Sequence, residues 1–267
     1  MYDGALYSDW GVSNQITILN TLPNVTLVSP NNYNTTTNRT PEFIWSASDD
    51  DNDALTYDLN LTCYNTLGGG CTQYDRYTSG ISTTNYVITQ YLEALSDNDY
   101  YYNWSVKASD DSGVTYGNYA LPKRRIDINA ELIITLINDT VSFGTLQFQG
   151  TSNTTTNNPW PFLLQNDGNC MLNISTNATD LWNSIVNPNN YYKFKVDNKT
   201  GEEGSFNSQL SNISWSQMPA NTEMIIVQLN WSDTNDTAEV DILVEVPIDE
   251  GSGDRSSNVV FTAELGE

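Results

Sequence analysis

Apolar residues in this chain tend to fall on every second position. In Leu55-Thr-Tyr57-Asp-Leu59-Asn60-Leu61-Thr-Cys63 they take the odd numbers, and in Tyr102-Asn103-Trp104-Ser-Val106-Lys-Ala108 the even ones. Cys170-Met-Leu172-Asn173-Ile174 and Ile225-Ile-Val227-Gln-Leu229-Asn230-Trp231 carry the same alternation. A period of two belongs to a strand with one face on a core and the other in water. Such runs are separated by clusters of Asn, Gly, Pro and Asp, the punctuation of antiparallel sandwiches. Helical periodicity is nearly absent; only Thr179 to Tyr192 is predicted to hold a short helix. The pattern predicts an all-β chain made of two antiparallel β-sandwich domains in tandem, Ig-like or jelly-roll-like. Boundaries at Pro23 and at Asn129-Ala130 give residues 22–129 and 130–267. Residues 1–21 are expected to be a strand segment ahead of them.

The polar faces of these strands carry a second pattern. Thirteen Asn-Xaa-Ser/Thr triplets occur, at Asn24, Asn34, Asn38, Asn60, Asn103, Asn138, Asn153, Asn173, Asn177, Asn198, Asn212, Asn230 and Asn235. With 34 Asn and roughly a fifth of residues Ser or Thr, chance gives only about seven. Where strands can be read, Asn60, Asn103, Asn173 and Asn230 all take the outward parity. An N-glycan acceptor must be on the surface of an exported protein. The expectation is a glycoprotein of the extracellular space or cell surface.

Composition narrows the function further. The formal net charge is −23, from 33 acidic and only 10 basic residues, so the charge comes from missing bases. Such a chain has few cations to displace phosphate counterions, which excludes nucleic acid as a partner. There is no histidine, which removes Ser-His-Asp and Cys-His nucleophiles and HExxH zinc sites. No apolar run approaches the roughly 18 residues that span a bilayer, so no membrane insertion is expected of this segment. Any export signal or anchor is expected to lie outside it. Scattered carboxylates such as Glu42, Glu93, Glu239 and Glu245 give no glycosidase signature, and the last two are expected to share a solvent face. No enzyme is expected.

Three smaller features bear on chemistry. Cys63 and Cys71 flank a Gly-rich turn and are expected to form a disulfide, with Cys170 a buried thiol. Asp49, Asp51 and Asp53 alternate in a turn. They either cap their own backbone or offer oxygens to Ca²⁺, though an EF-hand is excluded because Ala54 and Asn60 stand where Gly and Glu are needed. No cofactor is otherwise required. Trp45, Trp104 and Trp231 take core parities, which leaves Trp160, between two prolines, as the candidate exposed aromatic.

Residues 22–128 resemble the fibronectin type III/cadherin-like sandwich of surface proteins. The resemblance rests on Pro41-Glu-Phe43-Ile-Trp45, on the acidic turn before Leu55-Thr-Tyr57, and on Leu95 followed by Tyr102, Trp104, Val106 and Ala108. The turn Asp110-Asp111-Ser-Gly113, leading to Arg125-Ile126-Asp-Ile128, completes it. Residues 2–20 echo 109–129, so they look like the last hairpin arm of a preceding repeat in a longer array. Their unpaired strand, with Ile16 and Ile18 on one face, is expected to add to the sheet edge of a neighbouring subunit.

In the second half, Phe143-Gly144-Thr145-Leu146, then Pro161-Phe-Leu-Leu-Gln165-Asn166-Asp167-Gly168-Asn169, is similar to the opening of the camelysin/TasA-type fibre proteins and their archaeal pilus counterparts. Strands are expected at 132–134, 141–143, 161–164, 192–194, 225–229 and 240–246, with a last one through Val259-Val-Phe261-Thr-Ala263. The resemblance implies a homo-polymer built by strand exchange between identical subunits, with 13–20 and 258–265 as candidate donors. The expected function is therefore a glycosylated structural subunit of an archaeal surface filament. The alternative is a spacer, adhesion or carbohydrate-contacting module of a large S-layer-type protein.

Overall fold

The computed structural model describes residues 20–65, 69–93, 100–110 and 119–266. Among them the chain is all-β, with seventeen strands and a single 3₁₀ turn at Thr72–Tyr74. The first eight strands are β1 (Asn24–Ser29), β2 (Asn34–Thr36), β3 (Glu42–Ser48), β4 (Thr56–Asn65), β5 (Arg76–Ile81), β6 (Asn85–Val87), β7 (Tyr100–Ser109) and β8 (Arg124–Ile128). They form two sheets, ordered β1-β3-β6 and β2-β8-β7-β4-β5. The other nine are β9 (Ile134–Asn138), β10 (Thr151–Asn153), β11 (Phe162–Asn166), β12 (Leu172–Ala178), β13 (Tyr192–Asn198), β14 (Ser216–Gln217), β15 (Glu223–Leu229), β16 (Thr237–Glu245) and β17 (Val259–Leu265). These make a sheet ordered β14-β13-β16-β11-β9, with β10 also on β16, and a second ordered β15-β12-β17.

Alternation drives burial where it was legible. On β4, Tyr57, Leu59, Leu61 and Cys63 are buried, and on β7 Tyr102, Trp104, Val106 and Ala108 are. Phe43 meets Trp104 edge-on at 5.0 Å, and Trp45 meets Tyr57 at 5.4 Å, geometries favoured by the ring quadrupoles. The Tyr102 hydroxyl accepts the Glu93 N–H at 3.0 Å, and burial pushes its pKa up to about 12. The second half packs Leu164, Leu172, Ile174, Phe194, Ile226, Val240 and Ile242 between its two sheets.

Several expectations are corrected. Pairing is not wholly antiparallel: β2 runs parallel to β8, because the chain leaves the β1 sheet and crosses to the other before β2 forms. Residues 179–191 hold no helix. There the Asn187 N–H donates to Asp180 Oδ1 and Asn187 Nδ2 to the Thr179 carbonyl, while Pro188 lacks the N–H a helix would use. On β15 the alternation breaks: Ile225 and Ile226 are both buried, with Gln228 at φ 57°. Trp231 consequently lies past the strand, half-buried and outside the core. Residues 141–143 form no strand, and the strand expected at 132–134 falls instead on Ile134–Asn138. Glu239 is buried rather than solvent-facing, because a layer including Thr154 and Lys195 covers that face of β16.

The chain path gives the molecule two ends and a junction. Thr21 donates to Asp51 Oδ2 and Asn20 Nδ2 to Asp110 Oδ2, so the chain enters beside the Ser109 end of β7. The other end of β7, at Tyr100, lies on the side of Ile128, and Asn129 leads from there into the second half. Beyond the junction, β9 and β12 run outward to Asn138 and Ala178.

Candidate functional site

The thirteen sequons can be placed individually. None of the acceptor asparagines is buried: Asn24 and Asn38 are exposed, and the other eleven are half-buried. In three sequons the chain folds back on the acceptor. Asn38 Oδ1 accepts the Thr40 N–H at 2.9 Å and its hydroxyl at 3.2 Å, and Asn153 Oδ1 accepts those of Thr155 at 3.1 and 2.6 Å. Asn230 Oδ1 takes the Ser232 N–H at 3.2 Å. Such Asx turns are local and cost the sheets nothing. Three acceptor nitrogens are engaged: Asn34 Nδ2 donates to the Thr35 carbonyl at 3.5 Å, Asn138 Nδ2 to the Pro161 carbonyl at 2.5 Å, and Asn230 Nδ2 to Asn235 Oδ1 at 3.1 Å.

The cysteines lie as expected. Cys63 and Cys71 form a disulfide with Cα atoms 5.1 Å apart, and Cys170 is a buried thiol whose pKa burial pushes up. At the acidic turn, Asp49 Oδ1 accepts the N–H of Asp51 at 2.9 Å and of Asp53 at 3.4 Å. One oxygen from each of Asp49, Asp51 and Asp53 falls within 4.8 Å of the others. These bonds are the backbone caps that such a turn needs. Asp49 Oδ2 is buried without a hydrogen-bond partner. Trp160 is exposed.

Two features were not foreseen. The first is an open cleft of about 920 Å³ at the outer end of the second half. Its floor is core: Trp182, Tyr192, Ile242 and Val244, all buried. One wall is the unpaired run 139–148, which sets Phe143 and Leu146 against the core and leaves Phe148 62% exposed; the other is the 250–259 loop leading into β17. Nearby, β9 ends its sheet, and Leu136 and Ile137 on it, with Leu132 and Ile133 just before it, are exposed. An edge strand that is apolar on both faces is normally covered by something. The signal was in the sequence: Leu132 to Ile137 is a nearly continuous apolar run.

The second is the junction. Arg39 is buried there, with Nε on the Leu92 carbonyl (2.6 Å), Nη1 on the Asn169 carbonyl (2.9 Å) and Nη2 on Glu93 (3.0 Å). Its guanidinium also lies 4.3 Å from the Trp231 ring centroid, and burial lowers its pKa. Asn169 returns the contact, donating to the carbonyls of Thr37 (2.7 Å) and Asn129 (2.9 Å). A scarce basic residue in a polar loop gave no hint of this role.

Ile16 and Ile18 lie outside the described residues. Segment 258–265 does not: β17 is paired with β12 along its whole length. No helix among the described residues is long and apolar enough to cross a membrane, which leaves membrane-crossing strands unaddressed. No family model matches the chain, and no curated protein matches it.

Proposed function

We propose that this chain is a non-enzymatic, glycosylated structural subunit of an extracellular filament. In this reading it is two sandwiches in tandem that polymerise by lending a strand from one copy to the next, and the resemblance to archaeal fibre proteins points the same way. The observation that carries the reading is the open apolar cleft in the second half, set apart from the point in the first half where the described chain begins at Asn20. The alternating run Gln15-Ile16-Thr17-Ile18-Leu19 directly precedes Asn20, which is tied to Asp110 at the outer end of the first half. Five residues reach at most about 17 Å. Along the chain path β7, ten residues long, leads from that anchor to the junction, and β12, seven residues long, leads from the junction to the cleft side. On this reading a five-residue run anchored at Asn20 would fall short of the cleft of its own chain and would enter that of another copy.

This geometry makes the contact heterologous, the kind that propagates into open filaments. An apolar floor supplies burial for Ile16 and Ile18, and the outer edge of β17 offers unpaired backbone groups beside it. Glycans on outward asparagines would cover the flanks and leave the ends free to join. No cofactor is needed. Calcium at the Asp49–Asp53 turn would be an addition, established by a saturable rise in melting temperature that Asp49→Asn abolishes.

The test is negative-stain microscopy of the purified full chain, with intact-mass analysis before and after deglycosylation. Periodic fibres and a mass excess over the polypeptide are expected. Separate beads or strings would favour the spacer reading, and an unmodified mass would remove the glycoprotein part.

A further inference from the structure

The junction holds a cleft of about 450 Å³, within the roughly 300–1,000 Å³ range of small-ligand sites. Its walls come from both halves: Asn38 and Tyr91 from the first, Asn169, Trp231, Asp233 and Thr234 from the second. Tyr91 is 53% exposed and stands edge-on to Trp231 at 4.7 Å and 81°. Arg39 backs the Trp231 ring and is fully engaged by Leu92, Glu93 and Asn169, so it holds the aromatic pair in place. The cleft thus offers an aromatic surface ringed by hydroxyl, amide and carboxylate groups. That is the chemistry a sugar ring meets best, with apolar C–H faces against an aromatic ring and hydroxyls toward polar side chains.

A sequon forms part of the same wall. Asn38 is exposed, its Oδ1 is held by Thr40, and its Nδ2 makes no hydrogen bond among the described residues. Sugars attached there are tethered at the mouth of the cleft, so their effective concentration in it is high without any affinity of their own. We propose that the junction cleft seats the first sugars of a glycan on Asn38, which lie on Tyr91 and fill the space between the halves. The proposal rests on the glycoprotein reading above and adds to it a specific seat. Its consequence is mechanical: a filled wedge braces the junction against bending, which an array under tension requires.

Asn24 supplies the control, being exposed and in the same half but outside the cleft. The experiment is mild periodate oxidation of the native glycosylated full chain, followed by site-resolved glycopeptide mass analysis. Periodate cleaves accessible vicinal diols, so each site is read from those of its sugars that carry one. The expected result is oxidation at Asn38 at least tenfold slower than at Asn24, with the difference lost in Tyr91→Ala and on denaturation. Tyr91 is largely exposed, so that variant is expected to fold; circular dichroism checks it. Equal rates at two occupied sites would overturn the seat and leave the glycoprotein reading standing. So would a difference that survives Tyr91→Ala. Asn38 bare while other sequons are occupied would overturn the seat alone, and no occupancy at any sequon would overturn both.

Discussion

The two halves of this molecule are built from similar alternating strands, yet among the described residues the core of one is sealed and the core of the other is open to a cleft. In the first, Phe43, Trp45, Leu59, Tyr102 and Trp104 fill the space between sheets, and a disulfide ties β4 to the segment after it. In the second, Ile242 and Val244 are floor to a cleft of about 920 Å³, and the run along its wall, 139–148, pairs with nothing as a strand. Native interiors are close-packed, and gaps in them cost the dispersion contacts their walls would otherwise make. Such a gap is where the proposed donor strand would restore those contacts. The contrast teaches that the same alternating pattern can close over a core or leave it open along one side, and the proposed joining of copies would use the open one.

The largest effect that could break this contrast is on assembly. Ile16→Asp with Ile18→Asp should abolish the donor, and Leu146→Asp with Phe148→Asp the acceptor. Each double variant alone is expected to stay monomeric, while an equimolar mixture gives a 1:1 dimer and stops, because each contact needs one intact tail and one intact cleft. Light scattering reads all three states. Filaments from either variant alone would sink strand donation into this cleft.

Next in size is the core of the sealed half. Trp104→Ala should cost about 3–5 kcal/mol, the usual range for emptying a large buried aromatic site. Denaturant unfolding followed by tryptophan fluorescence should show the loss in the first half while the second half keeps its own transition. Equal loss in both would mean that the Arg39 junction couples them into one cooperative unit, and the contrast would need restating. Replacing Cys63 and Cys71 together by Ser comes below that. Closing a loop of eight residues stabilises by about 2–3 kcal/mol in the chain-entropy account, so the midpoint should fall accordingly and filament yield should not.

Much of the sealed half was legible, because β4 and β7 keep strict alternation over most of their length and their partners do the same. The open half was harder to read for identifiable reasons. A register shift between Met224 and Ile226 accompanies the burial of both Ile225 and Ile226, a second between Ile226 and Leu229 contains Gln228 with its positive φ, and no residue preference announces either. Val141 and Phe143 alternate like a strand, but alternation cannot say whether a neighbouring strand is present to pair with. Asn230 lies just past β15, half-buried, where a local Asx turn takes over from the pleat. The junction was invisible: Arg39, Tyr91, Asn169 and Trp231 are far apart in sequence and belong to no motif.

The smallest prediction concerns why the outer face of β16 resembles a core. Glu239 is buried there beside Asp241, and Asp241 is held by Lys195 at 3.2 Å and by the Thr154 hydroxyl at 2.6 Å. Burial first, then the charges of Asp241 and Asp197, raise the Glu239 pKa above its ordinary value. The folded state thus holds that proton more tightly than the unfolded chain does. The stabilisation this gives is complete below the unfolded carboxylate value, near 4.3, and is lost as pH rises through the higher folded value. Glu239→Gln keeps the shape and removes the titration. Urea midpoints measured from pH 4 to 8 should therefore decline less with rising pH in the variant than in the parent, with the two closest at the acid end. Parallel curves would mean that Glu239 ionises in the folded protein as readily as in the unfolded one, and the covered charged layer would then be better hydrated than its burial indicates.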